Sequence, residues 1–128
     1  MEEASKPHRK PLMWMGDSLD VISGFPAPVK SMLGHSLNEA QRGGTPSDAK
    51  PLKGFGGAGV LEIVEDHRGD AYRAVYTVRF REVVYVLHVF QKKSKSGIET
   101  PKHVVDLIRK RLNDATDAYK ALTRSGEI

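Results

Sequence analysis

Residues 83–90, Val-Val-Tyr-Val-Leu-His-Val-Phe, are apolar at nearly every position, and no other stretch of the chain restricts the fold as much. A strand apolar on both parities has to be covered on both faces, so this one belongs in the interior of a sheet. The run before it alternates instead. Tyr72, Ala74, Tyr76, Val78 and Phe80 fall on one parity, and Arg73, Thr77 and Arg79 on the other. That pattern predicts one core face and one face carrying guanidinium groups. A third run, residues 59–66, sets Leu61 and Ile63 against Val60, Glu62 and Val64. His67-Arg-Gly-Asp70 and Phe80-Arg-Glu82 are short enough for hairpin turns, so the three strands are expected to pair antiparallel in chain order. Arg73 then lies mid-sheet, near Glu62 and the basic exit of the last strand, on a face suited to a phosphate-bearing partner.

The flanks supply the layers that such a sheet needs. Pro11-Leu-Met-Trp-Met15 reads as an edge strand with proline at its start, where a missing amide donor costs least, and Trp14 as a core or half-buried anchor. Asp17 or Ser18 can cap a short helix from Ser18 to Ser23, with Leu19 and Ile22 inward and Gly24 ending it. Pro26 and Pro28 suit the first turn of a second helix, along which Val29, Met32, Leu33, Leu37 and Ala40 form an apolar stripe until Gly43-Gly44. Met32 is read here as core filling. Thr45-Pro-Ser-Asp-Ala-Lys-Pro51 is a turn-rich connection. Thr100 is expected to cap, and Pro101 to start, a long last helix whose stripe is Val104, Ile108, Leu112, Ala115, Tyr119 and Leu122. Helices, then a meander, then a helix give a segregated α+β order in which the last helix packs on the sheet.

Length and composition bound the rest. With 128 residues the chain suits one domain, expected over residues 11–124, with residues 1–10 as a flexible polar tail. Lys and Arg total 20 against 16 Asp and Glu, a formal charge of +4, which is compatible with nucleic acid without being diagnostic. The absence of cysteine excludes disulfides, thiolate nucleophiles and thiolate metal sites. No stretch reaches the roughly 20 apolar residues of a membrane helix, and no signal peptide is visible, so a soluble cytoplasmic protein is expected.

Three motifs carry possible chemistry. Gly54-Phe-Gly-Gly-Ala-Gly59 leads into a strand and lacks a Gly-Lys-Ser/Thr ending, whereas nucleotide loops open helices, so the glycines are read as serving positive φ and close backbone approach. His8, His35, His67, His88 and His103 lack the short paired spacing of a zinc site, and no metal or cofactor is expected. His88, inside the apolar strand, reads first as a buried, satisfied imidazole, with general acid or base work as the alternative. Gln91-Lys-Lys-Ser-Lys95 is the strongest basic cluster. As a solvated loop it needs no function; beside Arg73 it can hold a phosphate and stabilise the charge of a phosphorane during RNA cleavage. Phe90, just before it, offers a face for base stacking.

The segments Lys53-Gly-Phe-Gly-Gly-Ala-Gly-Val-Leu-Glu-Ile63, Tyr72-Arg-Ala-Val-Tyr76, Val84-Tyr-Val-Leu-His-Val-Phe-Gln-Lys-Lys-Ser-Lys95 and Thr100-Pro-Lys102 closely resemble the phage-related HigB-like toxins of the RelE/ParE superfamily. The resemblance runs from about Trp14 to Leu112. It implies a RelE-like fold with two N-terminal helices, an antiparallel sheet of about four strands and a C-terminal helix packed on it. It also implies a type II toxin–antitoxin toxin that cleaves mRNA, commonly on the ribosome, and is neutralised by a helix-turn-helix antitoxin of the HigA kind. Tyr72-Arg73 is similar to the family's Tyr-Arg strand motif, which gives Arg73 the scissile phosphate. Lys92 and Lys93 match the family's basic positions after the last central strand, and Lys53 is expected to reach the same groove. Lys95, Phe90 and Arg79 complete the expected RNA contacts.

One departure from the family bears on mechanism. RelE carries two lysines on the first meander strand, tied to activation of the attacking 2′-hydroxyl, and the corresponding places here hold Glu62 and Val64. Glu62 then serves either as the general base for that hydroxyl or as an ion-pair partner of Arg73. With Arg73, Lys92 and Lys93 stabilising charge and Glu62 or His88 moving protons, the sequence points to a metal-independent endoribonuclease. Two alternatives stand beside it: a non-catalytic inhibitor of DNA gyrase in the manner of the ParE branch, and a domain that binds RNA or a partner without cleaving.

Overall fold

The computed structural model describes residues 9–57, 59–92 and 100–127. Strand β1 (Leu12–Trp14), helices α1 (Ser18–Ser23) and α2 (Ala27–Gln41), strands β2 (Ala49–Pro51), β3 (Val60–His67), β4 (Asp70–Thr77) and β5 (Val84–Lys92), and helix α3 (Lys102–Arg124) follow in that order. The expected α+β architecture is borne out, with a five-stranded sheet in the order β1-β5-β4-β3-β2. β3, β4 and β5 form the antiparallel meander read from the sequence. Its first hairpin turns through Arg68 and Gly69, both at positive φ (53° and 88°), which is the two-residue turn whose twist matches paired strands. β1 is an edge strand as expected, and it runs parallel to β5.

The strand beyond the expected four is β2, which lies within the stretch read as a turn-rich connection. It pairs antiparallel with β3, and Pro51 is tolerated because the strand is at an edge, where one row of amides has no ladder to join.

Both faces of the sheet are covered. On one, Ile63, Tyr72, Ala74, Tyr76, Val84, Val86 and Val89 pack against Ile22 of α1 and Val29, Leu33, Leu37 and Ala40 of α2. On the other, Val60, Val75, Tyr85 and Leu87 meet Ile108, Leu112 and Ala115 of α3. Complete burial of side chains the size of Leu33, Leu37 and Ile108 stabilises by about 1.5–3 kcal/mol each. The face expected to present guanidinium groups is therefore also core over part of its length. Val75 and Thr77 share Arg73's parity, and α3 covers that end.

Local details differ from the sequence reading for identifiable reasons. Met32 is 49% exposed, because the buried stripe of α2 is Val29, Leu33, Ser36, Leu37 and Ala40, and Met32 lies outside it. Asp17 occupies the N-cap of α1 without a side-chain capping bond, its carboxylate engaging Arg111 instead. Pro101, not Thr100, is the N-cap of α3, and no side chain caps that helix. Arg9 and Lys10, assigned to the tail, are held to the end of α2: Lys10 N–H donates to the Gln41 carbonyl at 2.9 Å and the Gln41 amide donates back at 2.7 Å.

Candidate functional site

A β-bulge decides which residues share the site. β4 and β5 pair in step from Ala71–Lys92 to Val75–His88, and then Tyr76 faces Val86, leaving Leu87 as an extra residue. An inserted residue flips the parity of everything beyond it. Val84 and Val86 face α1 and α2, yet His88 stands opposite Val75 and Phe90 opposite Arg73, on the α3 side. Without the bulge, His88, Phe90 and Lys92 would share the face of Val84 and Val86. With it, they join Arg73 of β4 and Glu62 of β3 on one sheet face, where Phe90 packs at the margin of the cluster that holds Ile108 and Leu112.

Arg73 is the centre of that group and is nearly buried, at 8% exposure. Its Nη1 donates to Glu62 Oε2 at 3.1 Å, so the ion-pair role for Glu62 is realised, while Nε has no hydrogen-bond partner among the described residues. The expected open guanidinium face is thus corrected to a clasped pair in the sheet, with Phe90 and Lys92 half-buried beside it. A buried guanidinium held from one side keeps a defined fork direction, which is what phosphate recognition requires of arginine.

His88 is tied to the last helix. Arg111 Nη1 lies 3.2 Å from His88 Nδ1 and donates to the Leu87 carbonyl at 3.0 Å, and Nη2 donates to Asp17 Oδ1 at 3.2 Å. A guanidinium only donates, so Nδ1 accepts and the neutral ring carries its proton on Nε2. Burial pushes the His88 pKa below its ordinary 6.5, and the Arg111 charge adds to the effect, which outweighs the opposing pull of Asp17. The reading as a satisfied imidazole therefore fits, and the lone pair that a general base would use is occupied. The ring stacks on Phe90, with centroids 5.0 Å apart and planes 19° from parallel.

Lys53 and Arg79 are not brought to this group. Leu52 N–H donates to Val60, which pairs with Thr77, so the 52–57 loop lies about 13 Å along β4 from Arg73. Arg79 follows β4 at the same end, its guanidinium 5.9 Å from the Phe80 ring. Lys93 and Lys95 lie outside the described residues. The glycines before β3 behave as read: Gly54, Gly56 and Gly59 have positive φ, and Gly59 lets the Arg79 backbone approach to 3.3 Å from where a Cβ would stand.

Three contributors escaped the sequence reading. Lys50, on β2, stands opposite Glu62 and so shares the face of Arg73; finding it needed the register of a strand read as a loop. Arg111 lies next to the inward stripe of α3, and helical periodicity marks it only as a flank of Leu112. Arg109 stacks on Phe55 at 4.5 Å and donates to the Gly54 carbonyl at 3.0 Å, fixing the glycine-rich loop to α3.

A second set of perturbed groups lies on the other side of the sheet. Ser36 Oγ donates to both oxygens of Asp48, at 3.1 and 3.2 Å. The Glu65 carboxyl is pushed up to about 7 by burial, by a hydrogen bond with Asp48, and by the charges of Asp48 and Asp66. Two carboxyls in contact hold a proton between them more readily than either alone. Among the described residues no three His, Asp or Glu side chains are placed to hold a metal ion, and no helix is long and apolar enough to cross a membrane.

The family model "Phage derived protein Gp49-like" matches residues 20–113. The free-state structure of a double-arginine mutant of the E. coli toxin RelE aligns with a TM-score of 0.56 at 21% identity, covering 80% of this chain and 97% of that one. No curated protein sequence matches the chain.

Proposed function

The chain belongs to the phage-derived Gp49-like family and has the fold of RelE, and from that premise we propose that it is the toxin of a type II toxin–antitoxin system that inhibits translation by cutting mRNA. The observation that carries this reading is the convergence of Arg73, Glu62, His88, Phe90 and Lys92 on one sheet face. In the proposed reaction the RNA 2′-hydroxyl loses its proton and attacks the adjacent phosphorus. The bond to the 5′-oxygen breaks, that oxygen takes up a proton, and a 2′,3′-cyclic phosphate and a 5′-hydroxyl end result.

Arg73 contacts the scissile phosphate, and Lys92, with Lys93 following it in the chain, stabilises charge on the phosphorane. Glu62 takes the 2′-hydroxyl proton once phosphate has replaced it on Arg73. Phe90 stacks a base. Lys53, Arg79 and Lys95 contact RNA away from the scissile bond. The partners on this reading are a helix-turn-helix antitoxin of the HigA kind and mRNA, on the ribosome, in the cytoplasm.

The test is cleavage of mRNA and arrest of translation by purified protein. Arg73→Ala is expected to lower the cleavage rate on the order of 10²–10³-fold, the usual effect of removing one donor to a developing charge. An Arg73→Ala protein that cuts at the wild-type rate excludes the assignment. The low exposure of Arg73 and its pairing with Glu62 favour a second reading, a non-catalytic inhibitor of DNA gyrase. Plasmid supercoiling separates the two, since an RNA-cleaving toxin leaves gyrase untouched.

A further inference from the structure

The Arg111 side chain is built into the fold more tightly than surface-helix arginines generally are. It is 14% exposed, and its fork makes three contacts that join α3 to β5, through Leu87 and His88, and to the segment after β1, through Asp17. One of them satisfies the carbonyl of Leu87, the bulge residue that has no place in the β4–β5 register. The chain makes room for it at Gly16, whose φ is +58° and where a Cβ would lie 2.5 Å from Arg111 Cζ. Glycine is needed there twice over, for the dihedral and for the space. Asp17 then supplies the counter-charge.

Arg111 approaches His88 from the β1 side of β5, because Gly16 and Asp17 follow β1. The ring nitrogen it engages is Nδ1, which leaves Nε2 to carry the proton of the neutral ring. The other face of this arrangement is the stack on Phe90, which stands opposite Arg73.

We infer that Arg111 is a positioning residue. It locks His88 in the uncharged tautomer protonated on Nε2 and thereby makes the His88–Phe90 stack a rigid platform, with one fixed hydrogen-bond donor, for a nucleobase next to the Arg73 phosphate site. A neutral, fixed donor suits a base edge or a ribose oxygen, whereas a titrating imidazolium would add a charge that Arg111 itself opposes. The charged and titratable groups around the ring are Arg111 of α3, Asp17 ahead of α1, Glu62 of β3 in the same cross-strand row, and Arg73 and Lys92 further along the face. The tautomer stands on the protein's own geometry; its consequence for RNA rests on the ribonuclease reading above.

Two measurements test this on the full-length protein. Long-range ¹H–¹⁵N correlation of the histidine rings, followed from pH 5 to 8, is expected to show His88 with the Nε2–H pattern and without titration at the usual position near 6.5. Arg111→Met should release it to mixed tautomers with an apparent pKa back towards that value. Gly16→Ala, which pushes the fork aside without touching it chemically, should move the spectrum the same way, and Arg111→Lys should restore only part of the pattern. In RNA cleavage, Arg111→Met should raise KM on the order of tenfold, the scale of one lost base stack, with kcat largely kept.

An Nδ1–H pattern in the wild type, or a His88 spectrum unchanged in both Arg111→Met and Gly16→Ala, overturns the positioning role. Loss of kcat at unchanged KM overturns the platform. A wild-type protein that cuts no RNA defeats the ribonuclease reading and leaves the ring spectra to decide the role of Arg111.

Discussion

Replacing Glu62 by glutamine tests whether Arg73 is clasped or free. The substitution keeps the size of the side chain and removes the counter-charge of a guanidinium with only 10% of its side-chain surface in solvent. Breaking a buried ion pair from one side costs about 3–5 kcal/mol, because the remaining charge stays desolvated. Glu62 and Arg73 keep 13% and 10% of their side-chain surface in solvent, and this screening lowers the expected cost. About 2–3 kcal/mol is the corresponding figure. Relief from within is limited, since Arg73 Nε already lacks a partner among the described residues. In urea unfolding that loss corresponds to a fall in the midpoint of roughly 1–2 M at unchanged slope. Arg73→Met alone should also destabilise, leaving Glu62 unpaired. The double change Glu62→Leu with Arg73→Met removes both charges and should recover all but about 1 kcal/mol, the difference appearing as coupling between the two sites. A Glu62→Gln midpoint within about 0.2 M of wild type would show that solvent or another acceptor already serves the guanidinium, and the clasped-pair argument would fail.

Two further outcomes follow from groups outside the groove. Glu65 holds its proton up to about 7 in the folded chain against an ordinary 4.5. It therefore adds stability that is complete below the lower value and is lost as pH rises through the higher one, on the order of 1 kcal/mol after allowance for solvent screening. The wild-type midpoint minus that of Glu65→Gln should fall across this window, and a difference that stays flat or rises sinks the shared-proton account. Gly59→Ala should cost about 1–2 kcal/mol, from positive φ and from crowding against the Arg79 backbone, while Gly57→Ala, with open space around it, should change stability by less than about 1 kcal/mol. Equal effects in thermal melts would show that the conformation of the loop before β3 has been misread.

Periodicity carried the elements whose residues alternate or recur cleanly. The amphipathic stripe of α3 and the order of the meander are written in side chains that must be buried, whereas the ends of α1 were read from the residues flanking it, and of its two residues expected inward Ile22 is buried while Leu19 is 48% exposed. The site was legible only in part. Arg73 and Glu62 are diagonal neighbours on one face once the 67–70 hairpin sets Glu62 opposite Val75 and Val64 opposite Arg73, and their ion pair was among the expected roles. The placement of His88, Phe90 and Lys92 depends on one inserted residue, Leu87, and a strand that is apolar on both parities gives no sign of where its parity changes. β2 is three residues long and contains proline, so its existence depends on pairing with β3 rather than on propensity, and Lys50 was lost with it. Arg111 could not be assigned because its partners, Gly16, Asp17, Leu87 and His88, are remote in the chain and become adjacent only in the fold.

The charge arrangement of the groove separates attraction from selectivity. Arg73 and Glu62 cancel at a distance, since opposite charges 3.1 Å apart present a short dipole to an approaching chain. Lys50 on the edge strand and Lys92 at the end of β5 stand at opposite margins of the sheet face. Such lysines act as point charges and hold any phosphate equally well. The fork of Arg73 is different: it is buried, with Nη1 held by Glu62, so a phosphate would have to take over the carboxylate's place there. On the proposed ribonuclease reading, a phosphate at the correct depth would do so and free Glu62 in the same exchange, so docking in register and release of the base would become one event, while a strand lying shallowly on the lysines would leave both groups engaged with each other.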